Sequence, residues 1–351
     1  MSAVLAGTVS IGGLWRLSLA IAGVAALGLA VTALAGPVAR RYGRASRPVV
    51  VVATVLALLL EPVRATLELG GLDLILFGLV VADLVALRRS AWARTRATWW
   101  PQTAGGSRLR RIWSTGSWAG AGIGIASALA PGTLLFVAHL ALTRQWRAAL
   151  TALATAGTLI TGALLVAPGV WFAKVLPSID RAGPLDAPAN QSLAGVLARL
   201  YDSASTPVLV WLSFAVLLLA VGLIRARSAH AEGDEIAAFT LVGLAGAAVA
   251  PVSTANELVW ALPAILILID AAARRRASPR RPVPRRLTGL GPFLAAAVVA
   301  LVFAVPPVGN VTAITVIVLL NALPWRPSAP ARRRPTAAAP RVPAIPGPRL
   351  S

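Results

Sequence analysis

Gly36-Pro37-Val38-Ala39-Arg40-Arg41-Tyr42-Gly43-Arg44-Ala45-Ser46-Arg47-Pro48-Val49-Val50-Val51-Val52 decides the fold. It sets four arginines between two apolar runs, 12–35 before it and 48–60 after it. A helix crossing a bilayer needs about 20 apolar residues. Working outward, the arrangement recurs. Arg88, Arg89, Arg94, Arg96, Arg108, Arg110 and Arg111 fill the next such gap, and Arg144 with Arg147 a third. Arg225 with Arg227, the run from Arg274 to Arg286 and the tail from Arg326 follow. The gaps between them, 61–71, 169–206, 252–257 and 305–310, are poor in Arg and hold Pro, Asn and acidic residues. Basic loops alternating with non-basic ones are the positive-inside pattern of a multi-span membrane protein. The pattern predicts an all-α polytopic bundle in the plasma membrane. The N-terminus and arginine-poor loops lie outside, and the arginine clusters and C-terminus lie in the cytoplasm.

Composition agrees. Hydrophobic residues make up 57% of the 351-residue chain and mean hydropathy is +0.77, well above a soluble domain. The formal charge of +21 would suggest nucleic acid in a soluble protein. Here it is confined to one set of loops, where anionic lipid and insertion bias account for it, so no nucleic-acid partner is expected. Lys174 is the single lysine among many arginines, a bias of coding sequence rather than chemistry. Cys is absent, which excludes disulfides and thiolate metal sites. His139 and His230, the only histidines, lie in different segments, so no metal or other cofactor is expected.

The predicted spans are 12–35, 48–60 and 72–87, 148–167, 206–224, 236–251, 258–273, 287–304 and 311–323. Residues 61–71, with Glu61, Pro62, Arg64 and Glu68, are expected to turn at the outer surface; charges at that depth mark a candidate site. Segment 118–143 lies between two arginine clusters, so it must cross an even number of times, yet it is too short for two spans. Pro131-Gly132 interrupts it. A pair of half-helices entering the membrane and returning satisfies both constraints, and such backbone must be buried or line a cavity. Gly116, Gly120 and Gly124, at four-residue spacing, predict close helix packing rather than a phosphate loop. Residues 1–324 form one membrane domain; the Pro-, Ala- and Arg-rich tail 325–351 is expected to be disordered.

Three arginine-poor stretches carry further information. The first is Glu61-Pro62-Val63-Arg64-Ala65-Thr66-Leu67-Glu68-Leu69-Gly70-Gly71-Leu72-Asp73, ending near Ala82-Asp83-Leu84. The second runs from Pro177-Ser178-Ile179-Asp180 through Asn190-Gln191-Ser192 to Arg199-Leu200. The third is Pro251-Val252-Ser253-Thr254-Ala255-Asn256-Glu257-Leu258-Val259-Trp260-Ala261-Leu262-Pro263. Over about positions 15–325 the chain resembles glycosyltransferase family 87, actinobacterial polyprenyl-phosphate-mannose-dependent alpha-1,2-mannosyltransferases of the GT-C superfamily. The Asn-Gln-Ser loop is the most specific part, and the Gly-rich helix with Pro131 is also similar. The resemblance implies a GT-C-like membrane fold and hexosyl, specifically mannosyl, transfer. A polyprenyl-phosphate sugar would be the donor and an envelope glycolipid or polysaccharide the acceptor.

Residue chemistry fits such a reaction independently. Arg64 can offer a bidentate fork to phosphate, or else pair with Glu61 or Glu68. Asn190 and Gln191 can donate and accept, which suits sugar hydroxyls, or else cap the following helix. With Asn256 they form the expected donor-binding set, converging with Glu257 on one outer-face cavity. The chain also departs from the family. Gly70-Gly71-Leu72-Asp73 replaces Gly-Gln-x-Asn, and Ser253–Leu258 replaces Ser-Trp-Ser-His-His-Trp. The lysine before the mid-helix Pro gives way to Ala128–Ala130. The family's acidic first outer loop is not seen before Glu61, so a span and loop are expected to be missing at the N-terminal end. That leaves Glu257 as the candidate catalytic base, with pairing to an arginine or to outer water as the alternative. Rival readings are a non-catalytic homologue that binds lipid-linked sugar or scaffolds envelope enzymes, and a transporter. A transporter should show repeated halves, which the sequence lacks.

Overall fold

The computed structural model describes residues 2–99, 113, 115–167, 169, 186–187, 189–201, 208–277 and 290–326, excepting the side chains of 2–12, 94 and 96–99. Among these residues the chain is helical, with no strand. In order come α1 (Ser2–Arg41), α2 (Ser46–Leu58), α3 (Glu61–Leu69) and α4 (Asp73–Trp99). The half-helices α5 (Ala121–Leu129) and α6 (Leu134–Leu142) follow, then α7 (Trp146–Val166), α8 (Leu193–Leu200) and α9 (Val208–Ala231). Last are α10 (Glu235–Val249), α11 (Ala261–Ala277), α12 (Leu290–Val302) and α13 (Val311–Ala322). Four helical stretches are long and apolar enough to cross a membrane: Gly13–Arg41, Trp146–Val166, Val208–Ala231 and Ala255–Arg276. The protein is an all-α membrane bundle, as its sequence predicts. Motif residues 177–185 and most of the tail lie outside the described residues.

The two classes of loop separate in space. At one end, Tyr42 follows α1 and donates to Asp270 Oδ1 of α11 (3.2 Å), and Arg326 grips Asp270 after α13 (2.8 and 2.5 Å). Gln145 approaches His230 at the same end (3.5 Å). At the other end, the Glu61 N–H donates to Phe303 O (2.6 Å), Gln191 N–H to Ser253 O (2.7 Å) and Asn256 to Asp73 (2.7 Å). Asp73 and Arg88 lie 15 residues apart on α4, about 22 Å along a helix. The arginine-rich and arginine-poor loops therefore form opposite ends of one bundle.

Small residues let the helices meet. α10 is buried along nearly its whole length through Ala237, Ala238, Gly243, Ala245 and Ala248. A Cβ on Gly222 of α9 would stand 2.7 Å from the Ala245 methyl, so these backbones approach as only glycine permits. α7 and α9 instead expose Leu150, Leu153, Leu165, Leu209 and Leu217, side chains that suit lipid.

The half-helix pair forms as expected. Ala130, held out of the helical region before Pro131 (φ −136°, ψ 104°), ends α5, and a 3₁₀ turn over Pro131–Thr133 starts the return. A Cβ on Gly120 would meet Ala148 O at 2.1 Å, and one on Gly124 would meet Ala152 O at 2.5 Å, so α5 runs parallel to α7 in tight contact. The glycines do not share one helix face. Gly116 and Gly120 sit in left-handed turns before α5 (φ +64° and +102°), and Gly116 approaches Ala86 of α4 instead. Asp83, fully buried on α4, accepts from the Ile123 N–H (2.6 Å), so its charge is met by the amino end of α5.

Two expectations change. Residues 61–69 form a helix rather than a turn, bent 69° from α2. Pro62 at its start and left-handed Gly70 at its end (φ +65°) delimit it. The two histidines, on different segments as expected, are nevertheless neighbours, their ring centroids 6.2 Å apart; packing of α6 against α9 joins segments distant in sequence. Trp325 and Arg326, the first residues of the expected tail, belong to the bundle, because Arg326 has carboxylates to bind there.

Candidate functional site

A cavity of about 460 Å³ occupies the arginine-poor end. Asp73 heads α4 at its rim and Glu257 sits on a 3₁₀ turn, Ala255–Trp260, before α11. The break at Gly132 and Thr133 forms one wall, and α10 from Val242 to Ala250 forms another. Along α4 the lining passes from Asp73 to Val80, about 10 Å of helix. Below the carboxylates the surface is apolar and aromatic. Phe77 meets Trp260 edge-on (5.1 Å between centroids) and Phe136 lies against Trp260 (5.0 Å). The Trp260 indole can lie there because residue 243 is Gly; a Cβ would fall 2.0 Å from the ring. Trp211 also lines the cavity, and its buried indole N–H has no hydrogen-bond partner among the described residues.

Asp73 is the residue that sequence reasoning passed over. Asn256 Nδ2 donates to its Oδ2 (2.7 Å), and Thr254 Oγ1 donates in turn to Asn256 Oδ1. A Cβ at Gly71 would stand 2.9 Å from that same Oδ2, so the glycine leaves room for the carboxylate. The signal was present: Asp73 occupies the position where the family motif carries Asn. Glu257 makes no ion pair within 4 Å among the described residues, so it does not pair with an arginine.

The other expected residues do not line the cavity. Arg64 is half-exposed on α3, a helix that packs against the Ala255–Trp260 turn. Its guanidinium reaches Glu61 only at 3.9 Å, a loose pair that leaves its donors available. Asn190 and Gln191 are buried. Asn190 Oδ1 accepts from the backbone of Ser192 and of Ser253 (both 3.1 Å). Gln191 donates to Gly309 O (3.1 Å) and accepts from the Ala313 N–H (3.2 Å). Neither caps α8; Ser192 does, accepting from the Gly195 N–H (3.2 Å). The Asn-Gln-Ser loop thus braces the turn that carries Asn256 and Glu257.

The fold and cavity define a helical membrane protein with carboxylates at the rim of a deep apolar recess, one end of which can take a polar group and the other a hydrocarbon. The chain belongs to glycosyltransferase family 87, whose model matches residues 5–254. It is 31% identical over 220 residues to a polyprenol-phosphate-mannose-dependent alpha-(1-2)-phosphatidylinositol mannoside mannosyltransferase of Mycobacterium tuberculosis, covering 62% of this chain and 45% of that protein. A protein of the same description from Mycolicibacterium smegmatis is 30% identical over 62% of this chain and 46% of its own length. A phosphatidylinositol pentamannoside mannosyltransferase of M. tuberculosis is 26% identical over 65% and 47%. The chain spans about half the length of these relatives. No solved structure matches it significantly.

Proposed function

We propose that the chain carries the lipid-linked-sugar site of a membrane mannosyltransferase, which moves mannose from a polyprenyl phosphate to a glycolipid or polysaccharide acceptor. The observation that carries this reading is the cavity, with two carboxylates at its rim and about 10 Å of apolar wall beneath. A prenyl chain suits the wall, and the phosphate and sugar suit the rim. Arg64, on the helix that packs against the Ala255–Trp260 turn, offers its guanidinium to the donor phosphate, and Asn190 and Gln191 brace that turn. Glu257 takes the proton of the acceptor hydroxyl as that oxygen bonds to the anomeric carbon. The bond from that carbon to the phosphate oxygen breaks, and polyprenyl phosphate leaves. Asp73, held by Asn256, accepts hydroxyl hydrogens of the sugar.

The test uses purified chain, labelled polyprenyl-phosphate mannose and a membrane-glycolipid extract. Gly132 lines the cavity with open space where its Cβ would be, so Gly132→Leu should fold normally while projecting into the recess. We expect donor binding and transfer to fall at least tenfold without loss of thermal stability. Unchanged binding with Leu in place would remove the recess as the prenyl site.

The same proposal places the arginine-poor end outside the plasma membrane and the arginine-rich end in the cytoplasm. The absence of native Cys makes single-cysteine labelling direct. In intact cells an impermeant thiol reagent should modify Cys at Ala187 and spare Cys at Ala338; the reverse pattern would invert the orientation.

A further inference from the structure

A second cavity, about 270 Å³, lies at the arginine-rich end between the last two turns of α1, the middle of α4, the start of α10 and the middle of α11. Arg41, Arg88 and Arg326 reach it, as do Asp234 and Asp270. Counting partners shows which charges are already satisfied. Arg326 binds Asp270 with two guanidinium nitrogens (2.8 and 2.5 Å), and Arg274 adds a third contact to that carboxylate (3.1 Å). Tyr42 donates to it as well, its hydroxyl kept protonated because burial and the neighbouring Asp270 push its pKa up. Asp234 accepts the Arg326 N–H with Oδ2 (2.9 Å) and the Ala237 N–H with Oδ1 (3.3 Å). Both carboxylates are therefore committed.

Arg41 and Arg88 are not. Neither has a carboxylate within 4 Å among the described residues; Asp234 and Glu235 act on half-buried Arg88 only from farther off. Two guanidiniums facing one recess repel each other unless an anion sits between them. The remaining wall, from Leu34, Val38, Leu266 and Ile267, is apolar. The recess is thus cationic on one side and greasy on the other.

We propose that this cavity binds a phosphate ester, with Arg41 and Arg88 gripping the phosphate oxygens and the apolar wall receiving the carbon skeleton attached to it. The amphipathic lining fits the head group and first carbons of an anionic phospholipid from the adjoining leaflet, a ligand type that basic pockets between membrane helices commonly take. Each guanidinium offers a planar pair of N–H donors matched to phosphate. The site is separate from the cavity at the opposite end, and its test does not depend on transferase activity.

The experiment compares the full chain with two double variants in nanodiscs. One is Arg41→Gln with Arg88→Gln. The other, Arg40→Gln with Arg44→Gln, removes the same charge from the same end without touching the cavity. Native mass spectrometry of protein from nanodiscs of phosphatidylcholine with phosphatidylglycerol reads retained anionic lipid. In pure phosphatidylcholine nanodiscs, glycerol 3-phosphate is titrated while melting temperature is followed. A loss of about tenfold or more in retained phosphatidylglycerol, confined to the Arg41/Arg88 variant, supports the site with a lipid ligand. Stabilisation of the parent chain by glycerol 3-phosphate, absent in that variant, supports it with a soluble ester. Because neither lost charge has a carboxylate within 4 Å among the described residues, the ligand-free Arg41/Arg88 variant should melt close to the parent; a marked drop would mean a structural role and overturn the proposal. Equal loss in both variants, or loss in neither, would overturn it too.

Discussion

Glu257→Gln should lower mannosyl transfer about 10²–10⁴-fold, the usual contribution of a general base, while donor binding and thermal stability stay unchanged. The change is nearly isosteric and removes no ion pair, since none lies within 4 Å of Glu257 among the described residues. A large loss of transfer with binding and stability intact therefore points to lost proton acceptance. Asp73→Asn is the informative companion, because Asp73 lines the same cavity but already accepts from Asn256 (2.7 Å). It should weaken substrate binding more than it slows turnover. If Glu257→Gln transfers at the parent rate and Asp73→Asn does not, the two carboxylates exchange roles. If both transfer normally, the proton goes elsewhere.

Asp270→Ala should cost about 3 kcal/mol of stability, the scale found when one partner of a buried ion pair is removed. The Asp270 side chain is 8% exposed, and the Arg326 and Arg274 side chains it serves are 25% and 26% exposed. Losing the carboxylate removes the ion pairs of both guanidiniums and leaves the Tyr42 hydroxyl only the Asp270 carbonyl (3.3 Å). Thermal unfolding in a fixed detergent measures the effect. A loss below about 0.5 kcal/mol would reduce this cluster to ordinary surface pairing. Tyr42→Phe, which removes one neutral donor, should cost only about 1 kcal/mol.

Arginine placement alone tells the two ends of the bundle apart, because the cost of carrying charge through lipid acts on whole loops. The Pro131-Gly132 break was legible for a similar reason: parity and length left one solution. The candidate site was less so. Asn190 and Gln191 are buried by the same donors and acceptors that would have served a sugar, and residue type alone does not say whether a carboxamide faces backbone or ligand. Asp73 was overlooked because its role depends on Asn256, 183 positions away. The helix over 61–69 was hidden by its charges, which suit a surface helix as well as a turn.

The Gln191 brace has a consequence for biogenesis. Its carboxamide joins Gly309 and Ala313, 118 and 122 residues downstream, and the Glu61 amide bonds to Phe303. A chain emerging amino end first cannot make these bonds until α12 and α13 are out of the ribosome and in the bilayer. Contacts this distant form late because their loops must close first. A nascent chain stalled before Phe303 would therefore hold every residue that lines the recess and still lack the ties that fix the Asn256–Glu257 turn. Competence should arrive in one step once α13 has emerged, with that helix as the clasp.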